Sequence, residues 1–126
     1  MLLDTYVLVA VATRGHADRE PVRAFMEARS GLYVSALTRV EFLGWADATP
    51  GDLALRAAVY GEQKELPVND RVLDAAAELR RRRRGLKTPD AVVAATALAY
   101  GLPLVTANVR DFEWIEELTV IDPTAP

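Results

Sequence analysis

The sequence predicts an α/β fold: a single domain over residues 1–126, with a parallel five-stranded sheet flanked by helices. Three observations lead there. Short β-rich apolar runs alternate with stretches whose apolar residues recur at i, i+3, i+4 and i+7, and this alternation specifies parallel strands joined by crossover helices. A length of 126 residues suits one domain and not two. Hydrophobic residues make up 51% and charged residues 26%, so the chain can fill a core, expected to run from about residue 2 to residue 123 before a short Pro-containing tail.

The apolar run that begins at Leu2 and meets Asp4-Thr5 reads as a first strand, and Val7 to Ala12 as a short helix stopped by Arg14-Gly15. From Asp18 the spacing turns helical: Pro21 suits a first turn, Val22, Phe25, Met26 and Arg29 share a face, and Gly31 ends it. Leu32 to Val34 is a second strand, and the next stretch sets Leu37, Val40, Glu41 and Gly44 at helical spacing. Pro50-Gly51 marks a turn into a third amphipathic pattern of Leu53, Arg56, Ala57 and Tyr60. Leu66 to Val68 is the third strand. Asn69 or Asp70 caps the following helix, whose apolar face is Val72, Leu73, Ala76 and Leu79 and whose end carries five arginines, Arg80 to Arg84. Thr88-Pro89-Asp90 opens another helix, with Thr88 as N-cap and Pro89 in first position; alanines carry it to Tyr100 and Gly101 ends it. Leu104 to Thr106 is the fourth strand, Asp111 to Ile115 a helical turn, and Leu118 to Ile121 the fifth strand.

Composition then narrows the chemistry. With no Cys and a single His (His16), disulfides, thiolate nucleophiles, Cys-bound zinc and multi-histidine sites are excluded, so any metal is held by oxygen. A net charge of −3 excludes coating of nucleic acid by bulk positive charge and leaves local patches as the route to a polyanion. Asp4 interrupts a signal-peptide start, and no apolar run approaches the roughly 20 residues of a membrane span, so the expected location is the cytoplasm.

In an open parallel sheet, ligands bind beyond the carboxyl ends of the strands, where strand order reverses. Asp4 follows the first strand, Glu41 lies in the helix after the second, and Asp111 follows the fourth and its Thr106-Ala107-Asn108 turn; Asp90 opens an otherwise apolar helix. Carboxylates converging in one cleft raise each other's pKa unless a cation neutralises them. Oxygen-only ligands select Mg²⁺, or Mn²⁺ in its place. Simpler readings compete for most of them: Asp90 suits any helix N-terminus, Glu41 any solvated helix face, and Asp111 an N-cap. Asp4 resists, because an unpaired carboxylate in an apolar strand costs several kcal/mol. Two readings also stand for Arg80 to Arg84: a charge complement to the helix end, or a grip on phosphates or on an acidic partner, with Arg14 and Arg110 the other candidates. His16 and Tyr6 read as surface and packing residues.

The stretches MLLDTYVLVA, VSALTRVEFLGW, KTPDAVVAATALAYGLPLVTANVRDFEWI and LTVIDP resemble the VapC group of PIN-domain ribonucleases, the toxins of type II toxin–antitoxin pairs. The likeness runs from residue 2 to residue 123 and is most specific from Thr88 to Phe112. It implies a PIN fold, a Mg²⁺-dependent acidic pocket, cleavage of RNA, a homodimer, and a small antitoxin that inhibits the nuclease. The family's first acid matches Asp4, its helix acid Glu41 and its third Asp90; the fourth position falls either to Asn108, where some members carry Asp, or to Asp111. Tyr6 stands where Asn or Ser is frequent in the family.

On that basis Asp4 and Asp90 are expected to ligate Mg²⁺ directly, with Glu41 and Asp111 acting through water or at a second position. Thr5, Thr106, Asn108 and Arg110 are expected to orient carboxylate or phosphate oxygens. The apolar faces carrying Val22, Phe25, Met26, Leu37, Phe42, Trp45, Leu53 and Tyr60 exceed what one small sheet covers, which adds to the expectation of a second copy and an antitoxin on the surface. Rival classes fit less well. A phospho-signalling receiver needs an acid pair after the first strand and a Lys after the fifth, and the chain has Asp4 alone and no Lys beyond Lys87. A haloacid-dehalogenase-type phosphatase needs a second acid where Tyr6 stands. A metal-dead interaction module of the same fold has no need to keep Asp4, Glu41 and Asp90 together.

Overall fold

The computed structural model describes residues 1–126. Five parallel strands form one sheet: β1 (Leu2–Leu3), β2 (Tyr33–Ser35), β3 (Lys64–Leu66), β4 (Leu104–Val105) and β5 (Val120–Ile121), in the spatial order β3-β2-β1-β4-β5. Helices α1 (Thr5–Ala12), α2 (Arg19–Glu27), α3 (Ala36–Leu43), α4 (Pro50–Gly61), α5 (Asp70–Arg82), α6 (Thr88–Tyr100) and α7 (Val109–Phe112) fill the connections. The parallel α/β architecture expected of the sequence is the one observed.

Alternation along the strands divides the core into two layers. Leu2 of β1 and Leu104 of β4 point into the layer built by α5, α6, Phe112 and Ile115. Leu3, Val34 and Val105 point the other way, against Val7, Leu8, Val22, Phe42 and Val59. β1 is therefore buried on both faces, and it lies between β2 and β4, with Leu2 in register with Tyr33 and Leu104. From β1 the chain works outward to β3, then crosses through α5 and α6 to β4 on the far side of β1. Strand order thus reverses between β1 and β4, which places the ligand crevice beyond Leu3 and Val105.

Local chemistry sets most boundaries. The side chains of Ser35, Thr49 and Asn69 accept bonds from free backbone amides at the starts of α3, α4 and α5, and Thr49 with Asp52 completes a reciprocal capping box. Gly101 ends α6 in the left-handed conformation at φ 65° and caps it with its own amide. Gly101→Ala is expected to cost about 1–2 kcal/mol through that backbone conformation alone, read as a lower thermal midpoint.

Several boundaries differ from those the sequence suggests. The third strand covers Lys64–Leu66, because Pro67 has no amide to continue the ladder to β2. The N-cap of α6 is Lys87, not Thr88, and it makes no side-chain bond; with Pro89 inside the first turn, one free amide is already absent. Asp111 sits within α7 and not before it, so it caps nothing. β5 begins at Val120, since Leu118 is still in the turn, its amide bonded to the Ile115 carbonyl. The apolar surplus is also smaller: Val22, Phe42 and Tyr60 are buried in the core, while Val40 on α3, Trp45 in the following loop, and Leu53 and Leu55 on α4 remain exposed. Arg56, in the same helical pattern as Leu53, Ala57 and Tyr60, is buried; its guanidinium donates to the Phe42 carbonyl at 2.8 Å and stacks on Phe42 and Trp45. No helix is long and apolar enough to cross a membrane.

Candidate active site

At the switch point a cleft of about 120 Å³ is lined by Asp4, Thr5, Tyr6, Glu41, Pro89, Asp90, Val93, Asn108 and Phe112. Four elements converge there. Asp4 is the residue between β1 and α1, and its carboxylate caps α1 by accepting from the Val7 amide at 3.1 Å. Capping α1 is a role of Asp4 that the sequence reading does not anticipate. The side chain is 7% exposed and takes part in no ion pair, and burial pushes its pKa up from 3.8 to about 6. The Thr106 hydroxyl and the Val7 amide oppose that rise, while the charges of Asp90 and Glu41 add to it.

Asp90 enters from the first turn of α6. Burial raises its pKa, the charges of Asp111 and Glu41 raise it further, and Lys87 pulls it down. Glu41 comes from α3 and is held across the cleft: the Thr5 hydroxyl donates to Glu41 Oε1 at 2.9 Å and also approaches Thr38 Oγ1 at 3.4 Å. Thr5→Val is expected to free the Glu41 side chain and to lower any metal-dependent activity several-fold while leaving the fold intact, as a metal titration of activity would show.

Thr106 is fully buried at the end of β4, where its Oγ1 accepts from the Asn108 amide at 3.0 Å and its hydroxyl reaches Asp4. That single side chain ties the β4 turn to the β1 carboxylate. Asn108 faces the cleft, whereas Asp111 and Arg110 do not line it. Arg110 borders a separate recess with Asn108, Asp111 and Asp122. Asp111 also borders a third recess beyond Asp90, together with Arg83, Arg84 and Lys87. Arg14 is exposed and lines none of the three. His16 Nδ1 accepts from the Asp18 amide and Asp18 accepts from the Tyr6 hydroxyl at 2.7 Å, so His16 serves packing while Tyr6 both packs and walls the cleft.

Sequence reasoning does not find Thr38, buried with its hydroxyl beside Thr5, or Lys87 as the cation opposite Asp90. The first carries no signal in the sequence; the second stands three residues before Asp90, a spacing that could have drawn notice to it.

No three acidic or histidine side chains close on one point. The donor set still fits Mg²⁺, which takes one or two carboxylates, keeps several waters and needs no full protein cage. A desolvated carboxylate without a cationic partner, facing two further acids, is the electrostatic complement of such an ion.

A parallel sheet whose switch point gathers carboxylates defines an α/β domain with an acidic cleft beyond the ends of its strands. The chain belongs to the PIN domain family, whose pattern matches residues 1–118. No curated protein matches the sequence significantly. Among solved structures it is similar to a toxin–antitoxin complex from Klebsiella pneumoniae, at 24% identity over 97% of this chain and 96% of that one, TM-score 0.79. It is also similar to the DNA-bound VapBC of Salmonella typhimurium, at 22% identity over 97% and 96% of the chains, TM-score 0.82. A third similar structure is VapC20 of Mycobacterium tuberculosis, described as a toxin that cleaves the sarcin-ricin loop, at 16% identity over 84% and 86%, TM-score 0.71. At these identities the likeness is one of fold. The receiver-domain and phosphatase readings fall with the family match.

Proposed function

We propose that the protein is a Mg²⁺-dependent endoribonuclease and the toxin of a toxin–antitoxin pair. The observation that carries this reading is the buried, unpaired Asp4, set in one cleft with Asp90 and Glu41 at the switch point of the sheet. Asp4 and Asp90 would hold the ion, with Glu41 and Asn108 at its margin and Asp111 one recess away. When bound, the ion would lower the pKa of a coordinated water and stabilise charge on the phosphoryl oxygens of RNA. The protein's own groups do the positioning. Thr5 fixes Glu41, Thr106 fixes Asp4 and the Asn108 backbone, and Pro89, Val93 and Phe112 give the cleft an apolar wall.

Similar structures with antitoxin partners support the toxin reading, and the VapC20 description supports RNA as substrate. The test is to incubate purified, antitoxin-free protein with cellular RNA, with and without Mg²⁺, and to map the ends. Discrete Mg²⁺-dependent ends are expected; absence of new ends at saturating Mg²⁺ would overturn the reading. The protein is further proposed to act in the cytoplasm as a homodimer inhibited by a small antitoxin. The exposed Val40, Trp45, Leu53 and Leu55 supply apolar surface for such contacts. Light scattering of the isolated protein is expected to give twice the 13.8 kDa chain mass, and a monomer at micromolar concentration would contradict it.

A further inference from the structure

The five arginines at the end of α5 have unequal surroundings. Arg80 Nε donates to the Leu86 carbonyl at 3.1 Å, which braces the turn after the helix. Arg82 is spent on a two-pronged pair with Glu117, at 2.8 and 3.1 Å. Arg83 takes part in no ion pair; its guanidinium lies over the Trp114 ring, 5.1 Å from the centroid. Trp114 is itself fixed, donating Nε1–H to the Asp111 carbonyl at 2.9 Å. Arg84 and Lys87 are likewise outside every ion pair, on either side of Gly85, whose φ of 85° turns the chain between them.

Arg83, Arg84 and Lys87 share one recess of about 370 Å³, closed on its other side by Asp90 and Asp111. Asp90 is common to this recess and to the acidic cleft. Three unpaired cations in five residues of an acidic protein, beside a carboxylate that faces the proposed reaction site, suit an anion that continues from that site. An RNA strand repeats its phosphate at every nucleotide. With one phosphate at the acidic cleft, its neighbour is carried past Asp90 into the recess, and Trp114, outside the recess, holds the Arg83 guanidinium that meets it.

We propose that Arg83, Arg84 and Lys87 form a subsite for an RNA phosphate adjacent to the scissile one, an inference that rests on the nuclease reading and selects these cations over Arg80, Arg81 and Arg82. The test measures binding of a fluorescent single-stranded RNA oligonucleotide to the full chain in EDTA, where metal-dependent cutting is off, over a range of salt. The double variant Arg83→Gln, Arg84→Gln is expected to bind about tenfold more weakly, with a log–log salt slope shallower by about 0.7 for each phosphate the variant no longer neutralises. Arg81→Gln, which removes the same kind of charge outside the recess, is expected to match wild type. Wild-type affinity and slope in the double variant would overturn the subsite and turn attention to an acidic peptide as the ligand of these cations. An equal weakening in Arg81→Gln would also overturn it, by showing an effect of bulk charge. Discrete Mg²⁺-dependent RNA ends from the wild-type protein, alongside either of those results, would leave the nuclease centre standing and remove only the subsite.

Discussion

Asp4→Asn and Asp90→Asn are each expected to lower Mg²⁺-dependent RNA cleavage by about a thousandfold or more, a loss of about 4 kcal/mol of transition-state stabilisation. An amide in either place keeps the shape of the side chain and loses the charge that makes the cleft attractive to a dication. The fold is expected to survive both. Asparagine is as good an N-cap as aspartate, so the bond from the Val7 amide to residue 4 can persist. At Asp90 the substitution removes a favourable helix N-terminal charge worth some tenths of a kcal/mol, against relief of repulsion from Asp111 and Glu41. Circular dichroism beside single-turnover cleavage separates lost chemistry from lost structure. Asp111→Asn is expected to have a far smaller effect, because Asp111 borders the neighbouring recess and not the cleft.

The second large effect concerns stability. Asp4 titrates at about 6 in the folded protein against 3.8 for an ordinary aspartate, because its burial disfavours the charged form. The folded state therefore holds a proton that the unfolded state has already released. That stabilising contribution is complete below pH 3.8 and is lost as pH rises through about 6, with a full size of about 3 kcal/mol. In the metal-free protein, Asp4→Asn is expected to raise the thermal midpoint at pH 7 by about 10 °C and to flatten the fall in stability between pH 4 and 6. Thermal melts of both proteins in EDTA across that range check it. An unchanged or lowered midpoint at pH 7 would show that the Asp4 carboxylate is satisfied without a cation.

Much of this was visible in the residues. The two-sided burial of β1 follows from adjacent leucines, and Asn69 marks the start of α5, whereas the caps at Ser35 and Thr49 emerge only in the structure. Asp4 and Glu41 are marked by their places after strand ends and Asp90 by opening an otherwise apolar helix, and the structure brings those three together. Asp111 did not join them, since the short helix begins at Val109 and carries Asp111 round to the next recess. What stayed hidden depends on partners distant in the chain. The division of labour among Arg80 to Arg84 is set by Trp114 and Glu117, some thirty residues on. The hold on Glu41 comes from Thr5, thirty-six residues before it. Burial of Arg56 depends on how α4 packs over Phe42 and Trp45, which helical periodicity alone does not specify.

The most direct measurement is a calorimetric titration of Mn²⁺ or Mg²⁺ into the purified protein at pH 7, repeated with Asp4→Asn and with Asp90→Asn. Saturable binding to the wild-type protein is expected, with protons released on binding when the titration is moved to pH 6, because Asp4 must give up its proton to accept the ion. Both variants are expected to show no saturable heat. Equal binding by wild type and the two variants would place the cation elsewhere and contradict an active centre built on Asp4 and Asp90.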